Sequence, residues 1–277
     1  MKHKKRSRSR LLHSPVVWFC LAVLILLTAA CLLAPVLTDC DPIALDPLNK
    51  FAPMSREHPM GTDYLGRDIF SRVLWGGRNT LGYACLVTAL SALLGTAIGL
   101  LCGSIGGWLD STIMRFSDVI RAFPGIILVF ILVSVMGVGI WKICIALLIT
   151  RWIWYARMAR NLTRGELARS AIMASRLAGS RWPKILTRNI FPAILPQMLS
   201  VLSLDFGSSL LAISGYSFLG LGILPPSPEW GMMINDGRSY LEHPGMMFWP
   251  GLCVVLVVIS FNMLGDKLRD TMEETRS

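Results

Sequence analysis

The 277-residue chain is 53% hydrophobic and 16% charged, with a net charge of +10 and a positive mean hydropathy. A soluble domain of this length carries about 25% charged residues, and several runs here reach the ~18 apolar residues of a spanning helix. A soluble globular fold is thereby excluded, and an all-α polytopic membrane protein is expected. The positive charge fits the Lys and Arg that collect in cytoplasmic loops. Few aromatic residues interleave with it outside the apolar runs, which argues against a nucleic-acid surface.

The first ten residues, MKHKKRSRSR, hold six basic residues and no acid. With the apolar run 15–37 they resemble the charged and hydrophobic regions of a signal peptide, but the run exceeds the usual ~7–15-residue core. Residues 1–14 are therefore expected to be a cytoplasmic N-terminus and 15–37 a retained first span. Residues 38–78 form a connector with five basic and six acidic residues, its prolines opposing a continuous helix. The remaining block, 79–266, reads as one transmembrane domain. Its apolar runs cover about 80–102, 119–138, 139–154, 193–214 and 246–264, with a kink expected at Phe123-Pro124. Polar connectors separate the runs except at 138/139, where two runs adjoin, and 267–277 is a short charged tail.

Six spans place both termini on one side of the bilayer. Residues 151–191 carry nine Lys/Arg against Glu166, while 215–245 carry only Arg238 against three acids. This asymmetry puts the termini and the loop 155–191 in the cytoplasm and the connectors 38–78 and 215–245 outside. Seven cysteines, none spaced as CxxC, indicate neither a disulfide framework nor a thiolate metal site. The histidines at 3, 13, 58 and 243 are scattered over two faces, and no HExxH, phosphate loop or nucleophile elbow is present. The chain has no catalytic residues to assign, so energy for transport must enter from elsewhere.

Within the loop, RSAIMASRLAGSRWPKILTRNIFPAILP (169–196) is basic and rich in small residues. Its pattern predicts a short helix ended by Gly179 in a positive-φ conformation, a second short helix beginning near Pro183, and the start of the next span at Pro192. Asp205 lies inside an apolar run, where a carboxylate is costly and points to function. It is expected to line a translocation pathway or to be satisfied by Ser203, Ser208 or Ser209. In 61–72, Gly61 and Gly66 allow sharp turns, and Asp63, Arg67, Asp68 and Arg72 form a candidate ion-pair network. Glu229, Trp230 and Arg238 are expected to shape the same external face.

The stretch ASRLAGSRWPKILTRNIFP resembles the EAA loop of bacterial ABC importer permeases, EAA-x3-G-x9-I-x-L-P. Ala174 and Ser175 stand for the alanines, Gly179 for the glycine and Phe191-Pro192 for the final pair. Met173 replaces the usual Glu, and Asn189 stands where an apolar residue or His is usual. HPMGTDYLGRDIFSRVLWGGRNTL (58–81) is similar to a signature of C-type permeases of dipeptide, oligopeptide and nickel transporters. SFLGLGILPPSPEWGMMINDGRSYL, FWPGL and FNMLGDKLRD resemble later blocks of that group, in family order.

The resemblance implies an ABC importer transmembrane-domain fold in the bacterial inner membrane. It implies pairing with a homologous B-type permease, with two cytoplasmic ATPase subunits and an extracytoplasmic solute-binding protein as further partners. ATP and Mg would be bound by the ATPases, with no cofactor in this chain. By the same likeness, Ala174, Ser175, Arg176, Leu177, Gly179, Ser180 and Pro192 belong to the surface that docks on an ATPase. RWIWYARMAR, EWGMMINDGRSYL and MFWPGL look closer to nickel-type than to oligopeptide-type members, and Ile213 stands where peptide branches carry Glu. Nickel or a metal chelate is the expected cargo, with di- or oligopeptides as the alternative. A secondary transporter would need further intramembrane charges or an internal repeat.

Overall fold

The computed structural model describes residues 15–274, with side chains as far as Asp270. The basic N-terminus and the last residues of the tail lie outside the described residues. The described chain is helical, with no strand beyond an isolated bridge between Thr62 and Asp68.

Helix α1 (Pro15–Leu32) has no charged residue, and Trp18, Phe19, Ile25 and Leu26 are all more than half exposed. A helix greasy on its exposed face is stable only where that face meets lipid or protein. α2 (Ile69–Ile105) starts well before the expected Thr80. Asp68 caps it by accepting from the Ser71 amide at 2.7 Å, and the polar first turns bury Ser71 and Arg72 against the connector. At about 55 Å, this helix extends well past a ~30 Å hydrocarbon core.

The Phe123-Pro124 kink is a full break. α3 (Gly107–Arg121) and α4 (Gly125–Met136) meet at 88°. α4, about 18 Å long, is too short to span alone. α5 (Ile140–Leu167) continues beyond Trp154 into what the sequence suggests is loop. It stays helical because Tyr155, Ala156, Ala159, Thr163 and Glu166, at three- and four-residue spacing, are all buried.

α6 (Ser170–Leu177) is followed by α7 (Trp182–Phe218), α8 (Trp230–Gly237) and α9 (Gly245–Glu274). Pro192 does not begin a new element: α7 runs straight through it. A π-helical turn over Leu186–Ile190 precedes Phe191-Pro192, and the Phe191 amide donates to Leu186 O. The wider turn eases the proline ring past the carbonyl of the preceding turn, where it would otherwise clash. Among the described residues, α1, α2, α7 and α9 are long and apolar enough to cross a membrane, and the bent α3–α4 pair makes a fifth candidate. α5 is long enough, at about 42 Å, but too polar to qualify by composition. The difference from the six expected spans lies in α5, whose arginines are met by carboxylates of neighbouring helices.

α2 and α5 lie closely together along their lengths. Gly95, Gly99 and Gly103 line the contact. A Cβ on Gly95 would come within 2.3 Å of Trp152 O, and one on Gly99 within 2.3 Å of Ala156 O. Four-residue glycine spacing lets two backbones approach directly, which gains dispersion where no hydrophobic drive separates helix from lipid. A large apolar core joins α1, α2, α4, α5, α7, α8 and α9. A smaller one, including Tyr155, Ile172, Ile185, Ile190 and Ile194, roots α6 between α5 and α7.

Candidate functional site

The 169–181 projection is a helix, a glycine stop and a return. Gly179 takes φ +78°. The Gly179 amide donates to Arg176 O at 3.0 Å and the Ser180 amide to Ser175 O at 3.1 Å, so the last carbonyls of α6 are satisfied. Ile172 faces the small core, while Leu177 is 90% exposed and Met173 57%. Ala174, Arg176 and Gly179 are also exposed, with Ser175 and Ser180 half-buried. The Arg176 guanidinium lies 4.7 Å above the Trp182 ring, which pins the two arms of the turn together. The result is a rigidly rooted knob with an exposed leucine and small side chains, a shape suited to a groove in another protein.

Behind the projection, α5 grips α3. Arg160 and Arg164 both hold Asp110, Arg160 Nη2 at 2.6 Å, and Arg157 holds Asp118 and donates to Ser117 Oγ at 2.6 Å. The loop charges counted from sequence are therefore partly internal ties.

Asp205 is not satisfied by the serines alone. Its carboxylate pairs with Arg151 of α5 and accepts from Tyr155 Oη at 2.9 Å, with Ser209 Oγ farther off at 3.5 Å. Ser203 instead donates to Phe261 O at 3.3 Å, and Ser208 accepts from Arg151. Arg151 reads from sequence as the cytoplasmic edge of an apolar run, yet it sits mid-helix, where burial demands a counter-charge.

On the opposite end, Gly61 and Gly66 each take φ +76° and fold the connector over the start of α2. Asp63 Oδ2 meets Arg67 Nε at 2.7 Å and Arg72 Nε at 3.5 Å, and Asp236 of α8 faces both arginines at 3.6 and 3.9 Å. Burial pushes the Asp236 carboxyl upward against the pull of Arg72 and Arg67. Asp68 stands apart from this network as the α2 cap, within 3.0 Å of His58 Nδ1. Asp63→Ala leaves two buried guanidiniums facing only Asp236, so it is expected to cost about 3 kcal/mol, read as a lower unfolding midpoint in detergent.

Glu229 is buried and caps α8 through the Gly231 and Met232 amides, both at 3.0 Å. Burial pushes its carboxyl up despite these bonds. Trp230 is buried and donates to Val73 O at 2.8 Å, clamping α8 to α2. Arg238, by contrast, is exposed and lies over the Phe218 ring; the network does not include it. Among the described residues no three His, Cys, Asp or Glu side chains gather as a metal ligand set.

Residues 95–274 match the family described as binding-protein-dependent transport system inner membrane component. The chain belongs to that family. This permease is 42% identical over 236 residues to the nickel transport system permease protein NikC of Escherichia coli (strain K12), covering 84% of each chain. It is 38% identical over 261 residues to the metal-staphylopine import system permease protein CntC of Staphylococcus aureus (strain NCTC 8325 / PS 47), covering 94% of this chain and 90% of that one. Its fold is that of a chain of the MetNI methionine ABC transporter in an inward-facing conformation, with a TM-score of 0.52 at 21% identity. That match covers 72% of this permease and 97% of the other chain. The permease is thus a multi-pass inner-membrane transport component.

Sequence reasoning missed Arg151, Tyr155 and Asp236. A basic residue in one apolar run and an acidic one in another was the available signal for the Arg151–Asp205 pair. Nothing local pointed to Asp236, whose partners lie far away in sequence.

Proposed function

We propose that this chain is one of two membrane halves of an ATP-driven importer carrying nickel or a metal chelate. The observation that carries the cargo reading is the identity, over most of the chain, to permeases named for nickel and for a metal chelate. The other half is a homologous B-type permease, cargo arrives on a solute-binding protein outside, and two ATPase subunits dock below and hold the ATP and Mg.

The α6 knob is the docking point, with Ala174, Ser175, Arg176, Leu177, Gly179 and Ser180 on or beside the contact and Pro192 at its root. ATP-driven closure of the ATPases moves α6, and Ile172, packed with Ile185 and Ile190, passes that movement to α5 and α7. Alternating access follows if those two helices shift against the partner half. The spans are α1, α2, the α3–α4 pair, α5, α7 and α9, with both termini cytoplasmic. Asp205 lines the path on α7, and Asp63, Arg67, Arg72, Glu229 and Trp230 brace the outer face.

Orientation is tested at Cys40, which is exposed in the first connector. A membrane-impermeant maleimide is expected to label it from the outside of spheroplasts, and labelling only after permeabilisation would invert the topology. Partial desolvation within the connector, with nearby Asp68, Asp39 and Glu57, pushes the Cys40 thiol up. Labelling therefore quickens as pH rises toward its raised value, since the thiolate is the reacting form. Cargo is tested in a strain deleted for this chain. Complementation should restore accumulation of radiolabelled nickel but not of labelled dipeptide; the reverse pattern would overturn the cargo reading.

A further inference from the structure

Two cavities lie end to end along α7 with one charged pair between them. The first, about 520 Å³, is bordered by Trp154, Gln197, Leu204 and Asp205, with Arg269 of α9 also on its wall. The second, about 680 Å³, is bordered by Gly125, Thr150, Arg151 and Leu219. Ser208 borders both. Over the roughly 33 Å of helix from Gln197 to Leu219, the order is therefore cavity, ion pair, cavity.

The pair differs from the sealed network at the start of α2. Arg67 and Asp63 are 3% and 5% exposed, as befits a structural clip. Arg151 and Asp205 are 18% and 16% exposed, each toward a different cavity. Besides Asp205, the contacts of Arg151 are long ones to Ser208 O and Oγ, at 3.2 and 3.3 Å. A guanidinium has five N–H donors in a planar fork shaped for carboxylates. An incoming carboxylate can replace Asp205 on that fork with little net change in paired charge. The displaced Asp205 keeps the Tyr155 hydroxyl, so it is not left without a donor.

We infer that Arg151 receives an anionic group of the cargo and that Asp205 is its resting counter-ion, closing the path between the cavities until that group displaces it. The group is a carboxylate, either of a metal chelator or of a peptide C-terminus. This rests on the importer reading. A bare divalent cation would be repelled by Arg151, and a gate of this polarity discriminates against it.

The test uses the whole transporter in the deletion strain, with labelled nickel supplied as its complex with a polycarboxylate chelator and labelled dipeptide as separate arms. Failure of the wild-type chain to restore either cargo would sink the importer reading itself. With uptake restored, the arm that responds identifies the source of the carboxylate. Arg151→Gln/Asp205→Asn removes both charges together and strands neither. It is expected to retain complex assembly while losing about tenfold in uptake. Uptake close to wild type in this double variant would make the pair a structural clip and overturn the inference. Should the double variant fail to assemble, Arg151→Lys decides, because it keeps the charge but not the fork. About fivefold slower uptake is expected from it, and wild-type uptake would overturn the inference. Unchanged or faster uptake in Arg151→Gln would do the same.

Discussion

Gly179→Leu is expected to strip the ATPase subunits from the purified complex and to cut uptake about tenfold or more, the loss that about 1.4 kcal/mol of docking energy represents. The chain itself should remain folded. A Cβ at Gly179 meets nothing within 4 Å, so no internal clash arises. The positive φ alone costs a non-glycine residue about 1–2 kcal/mol, spent at the end of a short exposed helix. A large effect on partner binding with a small effect on the unfolding midpoint is the signature of a surface that another protein covers. Co-purification and thermal unfolding of the same preparation measure both. Undiminished ATPase binding would remove α6 from the docking site.

The second large effect is at Gly99. Gly99→Leu places a side chain against Ala156 O and Ala159 Cβ, at 2.3 and 2.7 Å from the first added carbon alone. Backbone cannot yield as a side-chain tip can, so α2 and α5 must part, at a cost of at least about 3 kcal/mol. The expected result is loss of the chain from the membrane fraction. Gly82→Ala is the control, because that position is open. There the better helix propensity of alanine is worth up to about 1 kcal/mol, and accumulation should be unchanged or improved.

The helical class and most of the long apolar helices were legible because apolar runs of that length have few alternatives. Boundaries were not. α2 begins early because Asp68 caps it, and α5 extends to Leu167 because its buried face continues past the apolar run. Both are effects of packing on segments that look polar in isolation. The glycine stripe at 95, 99 and 103 was not singled out from the sequence, because its meaning depends on its partner, α5, which only the fold brings against it. The α6 turn was legible from Gly179 and its small residues, a local matter of backbone conformation. Asp205 stood out because a charge in an apolar run is expensive, whereas its tie to Arg151 spans 54 positions and needed the fold. Met173 is exposed on α6, and nothing in the structure explains why it replaces the family's glutamate.

The central claim is that this chain is a conduit whose driving energy enters through other subunits. Purified chain and partner permease, placed in proteoliposomes with binding protein, are expected to accumulate no labelled cargo under an imposed proton or sodium gradient. Adding the ATPase subunits and internal ATP should start accumulation, and adding a non-hydrolysable ATP analogue instead should not. Gradient-driven accumulation without the ATPases would contradict the account and make the chain part of a secondary transporter.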